Sequence, residues 1–177
     1  MDLKGKRVAV LAEDLYEDLE LWYPYYRLVE AGAEVHLIGP EAKTYRSKHG
    51  YPATATEAAV QTRPEEFNAV VVPGGYAPDR LRRFPPVLDL VRGVYRRGGV
   101  VAAICHGPWV LISAGILQGK RATCFYAIKD DLVNAGATYV DEPVVVDGPL
   151  ITSRTPADLP AFLPALIQAL ARETQPA

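Results

Sequence analysis

Short apolar, β-branched runs alternate along this chain with longer stretches in which polar and apolar positions mix at helical spacing. Residues 7–11, 34–38, 68–72 and 100–104 are of strand length, and 8–11, 69–72 and 100–104 are continuously apolar rather than alternating, as expected of strands buried on both faces. The intervening stretches 18–32, 86–97 and 106–114 predict helices. The first is closed by Gly32, carries Leu19, Trp22, Tyr26 and Val29 near helical spacing, and contains Pro24, which should bend it. Residues 121–125 then predict a strand, 128–135 a helix, 144–147 and 150–153 a strand pair, and 157–172 a final helix. Residues 44–62 form an irregular, strand-rich excursion. Strands separated by helical crossovers imply an α/β fold: a single doubly wound, mainly parallel sheet with helices on both faces. At 177 residues the chain suits one core and is short for two, so 1–177 is read as a single domain.

The composition removes several classes of function. With 49% hydrophobic and 23% charged residues the chain is neither disordered nor fibrous. Nineteen basic against twenty-one acidic side chains, without a basic run or basic–aromatic interleaving, argue against nucleic acid as a partner. Neither a signal peptide nor an apolar stretch of bilayer length is present, so no membrane partner is expected and the protein reads as cytoplasmic. Two cysteines, Cys105 and Cys124, are far from a disulfide framework and fit a reducing compartment in which a thiol can do chemistry.

In doubly wound sheets ligands gather beyond the carboxyl ends of the strands, at the topological switch point. Three such turns carry chemistry here: 13–18, 73–79 and 105–107. Ala103-Ile104-Cys105-His106-Gly107 places a thiol between a buried strand and a helix, framed by small residues as a nucleophile elbow requires. A helix N-terminus favours thiolate, but lowering a thiol pKa by about 3 units needs roughly 4 kcal/mol, whereas one helix end supplies at most about 2 kcal/mol. A second donor is therefore expected, and Glu17 is the candidate, provided that burial keeps it protonated. The alternative is that Glu13, Asp14, Glu17, Asp18 and Glu20 simply load a first helical turn with favourable negative charge.

Other chemistries fit poorly. Glu13-Asp14-Leu15-Tyr16-Glu17 would repel the phosphates of a flavin or dinucleotide, so no cofactor is expected. The strand ending at Val72 offers no aspartate for phosphorylation, and no histidine follows His106 to serve a hydrolase with a late imidazole. Paired spacing for a zinc site is lacking, so no metal is expected. His36, within a strand, and Cys124, in an apparent strand, read as structural.

The motifs Tyr16-Glu17-Asp18-Leu19-Glu20-Leu21-Trp22-Tyr23-Pro24, Lys48-His49-Gly50-Tyr51, Pro73-Gly74-Gly75-Tyr76-Ala77-Pro78-Asp79, Ile104-Cys105-His106-Gly107-Pro108, Ile128-Lys129-Asp130-Asp131 with Asn134-Ala135-Gly136, and Ser153-Arg154-Thr155-Pro156-Ala157-Asp158-Leu159 together resemble the PfpI family of intracellular cysteine peptidases and deglycases. The resemblance runs through nearly the whole chain. It implies a flavodoxin-like sandwich with Cys105 as nucleophile, Glu17 as its protonated partner, His106 as the catalytic imidazole, and the backbone N–H groups of Gly75 and His106 as an oxyanion site. In peptidase members a carboxylate from a neighbouring subunit orients the histidine; the matching position is Asp79, where those members can carry the longer Glu. A homodimer or homohexamer follows from the same resemblance. Gly74, Tyr126, His49 and Arg154 are placed as pocket residues: Tyr126 at the mouth, His49 on a wall or as a rival base, and Arg154 as a holder of a carboxylate-bearing substrate.

The mechanism expected is addition of the Cys105 thiolate to an electrophilic carbonyl. Small reactive carbonyls such as methylglyoxal, or their adducts on amines and thiols, are favoured as substrates. Peptides are the alternative, because amine expulsion demands a well-oriented histidine. A competing class is a non-enzymatic redox sensor or chaperone in which Cys105 is oxidised.

Overall fold

A computed structural model describes residues 1–172. In chain order its elements are β1 (Arg7–Leu11), α1 (Asp18–Glu30), β2 (Glu34–Gly39), β3 (Thr44–Arg46), β4 (Pro52–Thr54), β5 (Glu57–Ala58), β6 (Ala69–Val72), α2 (Ala77–Leu81), α3 (Pro85–Arg96), β7 (Val100–Ile104), α4 (Pro108–Ser113), β8 (Arg121–Ala122), α5 (Lys129–Asn134), β9 (Thr138–Tyr139), β10 (Val144–Asp147), β11 (Leu150–Ser153) and α6 (Leu159–Arg172). The main sheet has the order β10-β11-β7-β6-β1-β2-β5 and is parallel except for the antiparallel pair β10–β11. The apolar runs register against each other, Val8 beside Val35 on one side and Ala69 on the other. The side chains of residues 8–11, 69–72 and 100–104 are buried because α1 and α6 pack over one face, and α3 and α4 over the other. The doubly wound α/β sandwich is thus present, and the last five residues of the predicted 1–177 domain lie outside the described residues.

Three local expectations change. The strand predicted over 121–125 stops at Ala122. The Thr123 N–H is taken by Thr152 Oγ1 at 2.9 Å and the Phe125 N–H by the Cys105 carbonyl at 2.9 Å, so the ladder cannot continue. The excursion at 44–62 resolves into the β3–β4 hairpin and the edge strand β5 on β2. In α1 the stripe Leu19, Tyr26 and Val29 lies outward, with Leu19 57% exposed. The buried face is Glu20, Leu21, Pro24 and Leu28, and the helix continues through its proline. Among the described residues no helix is long and apolar enough to cross a membrane, and no group of three or more His, Cys, Asp or Glu is placed to hold a metal ion.

Candidate active site

β1 lies between β2 and β6, so successive crossovers leave it in opposite directions and the turns after β1, β6 and β7 open a crevice at their carboxyl ends. The first two turns are laced together. The Glu17 N–H donates to the Gly74 carbonyl at 3.2 Å, and the Tyr76 N–H to the Leu15 carbonyl at 2.9 Å. Behind β7 the chain bends at Cys105, whose φ of 62° lies in the left-handed region that costs an L-residue about 1–2 kcal/mol. Neighbours hold the bend: the Cys105 N–H donates to the Ser153 carbonyl at 3.0 Å, and the Gly107 N–H returns to the Ile104 carbonyl at 2.8 Å. A side chain at position 107 would collide with the Val72 and Ile104 carbonyls, which is why glycine follows the elbow. Such strain, kept by its surroundings, is characteristic of functional turns.

The acid beside the sulfur is Glu20, and this corrects the expectation for Glu17. Glu17 sits at the N-cap of α1, where its Oε2 accepts the Glu20 N–H at 3.0 Å; its carboxyl faces the helix amide, although its side chain still lines the pocket wall. Glu20, one turn further and completely buried, accepts the Gly74 N–H on Oε1 at 3.0 Å, while its Oε2 has no hydrogen-bond partner. A methyl group at Gly74 would overlap Glu20 Oε1 and come within 2.7 Å of Cys105 Cβ, so Gly74 is the spacer that lets acid and thiol approach.

Burial and the Glu17 charge push the Glu20 carboxyl up to about 8, leaving it protonated at neutral pH. Burial and the Glu20 charge push the Cys105 thiol up to about 12, against the pull of the Gly75 and His106 N–H groups and the Lys48 ammonium. The lowered thiol pKa expected from a helix end is therefore not what this environment gives. Helix α4 is one and a half turns long and begins only at Pro108, and the backbone donors that reach the sulfur belong to Gly75 and His106. Glu20 and Cys105 titrate as a pair. After the first proton leaves, that pair is either carboxylate with thiol or carboxylic acid with thiolate.

His106 places Nδ1 3.2 Å from Cys105 Sγ, a proximity that adjacency in sequence did not promise. Burial, followed by the Lys48 charge, lowers the imidazole pKa, so the ring is neutral at neutral pH and able to accept a proton. The sulfur opens into a cavity of about 380 Å³ lined by Glu17, Lys48, Gly75, Tyr76, His106, Phe125 and Pro156.

Several residues predicted for the site lie elsewhere. Asp79 on α2, whose expected role is across a subunit contact, is paired within its own chain with Arg83, and among the described residues no carboxylate hydrogen-bonds to the His106 imidazole. His49 points away to Asp18, Nδ1 to Oδ2 2.8 Å, because the β3–β4 loop turns its ring into solvent. Arg154 is held by Asp158 and Asp141 and does not line this cavity. Tyr126 leans on Phe125, 4.7 Å between centroids, with Phe125 rather than Tyr126 forming the wall. Both cysteines are free thiols, and Cys124 is wholly buried. His36 is structural, bonded to Glu34 and Glu57. Glu20, Lys48 and Phe125 received no role from the sequence. For Glu20 the signal was there, four and eight positions before the buried Pro24 and Leu28 on one helical face.

An α/β sandwich with a strained cysteine elbow, a buried acid and an adjacent imidazole defines a class of cysteine-centred proteins, and comparison with known proteins places the chain within it. Residues 6–169 match the DJ-1/PfpI family, and the chain belongs to that family. It is 44% identical over 164 residues to the deglycase PYRAB04690 of Pyrococcus abyssi, spanning 93% of this chain and 99% of the relative. It is 42% identical over 161 residues to protein/nucleic acid deglycase 2 of Escherichia coli, spanning 89% of this chain and 94% of that one. Among solved structures it resembles a two-domain protein of Anabaena variabilis with DJ-1/ThiJ/PfpI-like and ferritin-like domains, at a TM-score of 0.93 and 45% identity. The match covers 94% of this chain, which spans about half of that one, 48%. The family thus includes deglycases, and its fold is the flavodoxin-like sandwich.

Proposed function

We propose that the protein is a cysteine-dependent hydrolase of the deglycase type, acting on small reactive carbonyls or their adducts on amines and thiols. The observation that carries the reading is the meeting at one sulfur of the His106 imidazole, two backbone N–H groups and a buried, protonated Glu20, at the floor of a cavity of about 380 Å³. With methylglyoxal, Cys105 passes its proton to the neutral His106 Nδ1 as Sγ adds to the aldehyde carbon. The oxygen gathers charge and is received by the Gly75 and His106 N–H groups. The imidazolium returns a proton to that oxygen, giving a hemithioacetal. His106 then carries the proton from the former aldehyde carbon to its neighbour through an enediol, while the hydroxyl proton passes to the former ketone oxygen, leaving a lactoyl thioester. Water cleaves the thioester to lactic acid and free thiol, so the sum is methylglyoxal plus water giving lactic acid, with the enzyme regenerated.

Peptide hydrolysis asks more of the same site, because an amine must be protonated as it leaves and the imidazolium needs a carboxylate to orient it. In one chain Asp79 is engaged by Arg83. The peptidase reading therefore depends on Asp79 of a second copy reaching His106 in a homo-oligomer. Incubating wild type and Cys105→Ser with methylglyoxal and following lactate tests the proposal: turnover that disappears with the thiol is expected. Lactate formation that survives the substitution would overturn it. Absence of turnover together with peroxide-dependent stabilisation would place the chain with redox sensors.

A further inference from the structure

Among the described residues of one chain no carboxylate hydrogen-bonds to His106, yet its ring is fixed by contacts within the chain. It stacks on Phe125, centroids 5.0 Å apart and planes 28° apart, and meets Trp109 edge to face at 5.1 Å and 68°. Stacked and edge-to-face pairs at these separations are attractive and directional. Trp109 is itself tethered. Its Nε1–H donates to Asp131 Oδ2 on α5 at 2.9 Å, and the Arg82 guanidinium lies 5.5 Å over its ring while donating from Nε to Ser113 Oγ at 2.9 Å. The indole thus joins α5 and the segment after α2 to the imidazole. These polar groups serve none of the chemistry assigned to the cavity above.

We infer that Trp109, anchored by Asp131 and Arg82, is a positioning residue that holds His106 with Nδ1 toward Cys105 Sγ. A carboxylate orienter fixes the ring and also stabilises its cation; an aromatic clamp fixes the ring and leaves it neutral. The charged groups facing the imidazole are Lys48, from the β3–β4 loop, and the Cys105–Glu20 pair beyond the sulfur. Arg82 and Asp131 reach it only through the indole. A neutral, well-placed base suits the to-and-fro proton transfer of hemithioacetal rearrangement. This inference rests on the proposed role of His106 as proton carrier.

The test compares Trp109→Leu, Trp109→Phe, Asp131→Ala and Asp131→Asn, each checked for a native circular dichroism spectrum. Imidazole ¹⁵N resonances report the tautomer and pKa of His106 without any substrate. Trp109→Leu is expected to raise the His106 pKa toward its ordinary value and mix its tautomers. It should also lower kcat for lactate formation about tenfold while leaving KM within twofold. Trp109→Phe, which keeps a ring edge, should recover most of this. Asp131→Ala should move both readouts in the same direction, and Asp131→Asn, whose amide oxygen still accepts the indole N–H, should recover at least half of that loss. Unchanged imidazole resonances in a folded Trp109→Leu protein would overturn the clamp, as would Asp131→Asn proving as harmful as Asp131→Ala. If wild type makes no lactate but the resonances still respond, the proposed reaction fails and the positioning role stands.

Discussion

The surroundings of Cys105 and Cys124 differ in an instructive way. Both thiols are buried and free, and burial pushes each up to about 12, with the Glu20 charge adding to the first and the Asp131 charge to the second. Cys124 has no further machinery: a small apolar side chain in a closed wall. Cys105 sits on a left-handed bend, 7% exposed, with two N–H groups, an acid, an imidazole and an open cavity around its sulfur. Burial alone therefore does not distinguish a reactive thiol. The difference lies in which backbone donors the turn aims at it and in whether a substrate can arrive.

The largest expected effect separates the two sulfurs outright. Cys105→Ser should lower turnover by at least about 10³-fold, equivalent to roughly 4 kcal/mol of transition-state stabilisation, while Cys124→Ala stays within a few-fold of wild type. Mass spectrometry after limiting peroxide should locate the oxidation at Cys105; equal oxidation of both thiols would erase the contrast.

Next comes the acid that only Cys105 possesses. Glu20 has a carboxyl pKa near 4.5 when unfolded and about 8 when folded, so its contribution to stability is full below about 4.5 and is lost as pH rises through 8. The loss is on the order of 4 kcal/mol across that window. Urea unfolding at pH 4.5, 6 and 8 should show this fall in wild type and a much flatter profile in Glu20→Gln. An equally steep profile in the variant would assign the pH dependence to other groups.

A smaller effect tests the spacer between acid and sulfur. Gly74→Ala forces a methyl group against Glu20 Oε1 and Cys105 Cβ, and should cost about 1–3 kcal/mol in urea unfolding and slow alkylation of Cys105. Smallest is the backbone itself. At position 105, Gly should be more stable than Ala by about 1 kcal/mol because φ is positive. At position 124, where no positive φ occurs, Ala should be more stable than Gly by about 0.5–1 kcal/mol. The same order at both positions would mean that the elbow carries no strain.

The sheet was legible because β1, β6 and β7 are continuous apolar runs, which only a strand covered on both faces can use. The elbow was legible because a thiol framed by Ala103 and Gly107 between strand and helix has few other readings. The acid was misplaced for a definable reason. Glu17 was the candidate because it lies in the turn after β1, and the helical spacing of Leu19, Trp22, Tyr26 and Val29 did not reveal which face of α1 is buried. In the fold most of that stripe faces solvent, and with Tyr23 and Tyr26 it borders a groove of about 570 Å³ on the outer side of α1. His49 and Arg154 were drawn to the pocket by their chemistry alone, without sight of Asp18, Asp141 and Asp158, which claim them.

What the sequence determined by itself was the order of strands and helices, the turn that carries the thiol, and the three turns from which a site could be built. Those follow from local patterns: side-chain periodicity, residue size at a bend, and the absence of competing motifs. Which carboxyl meets the sulfur, which cation overlooks it and what holds the imidazole were decided only in three dimensions. Glu17 and Glu20 are alike in composition and lie one helical turn apart. The helix N-cap takes the first, while the glycine after β6 makes room for the second.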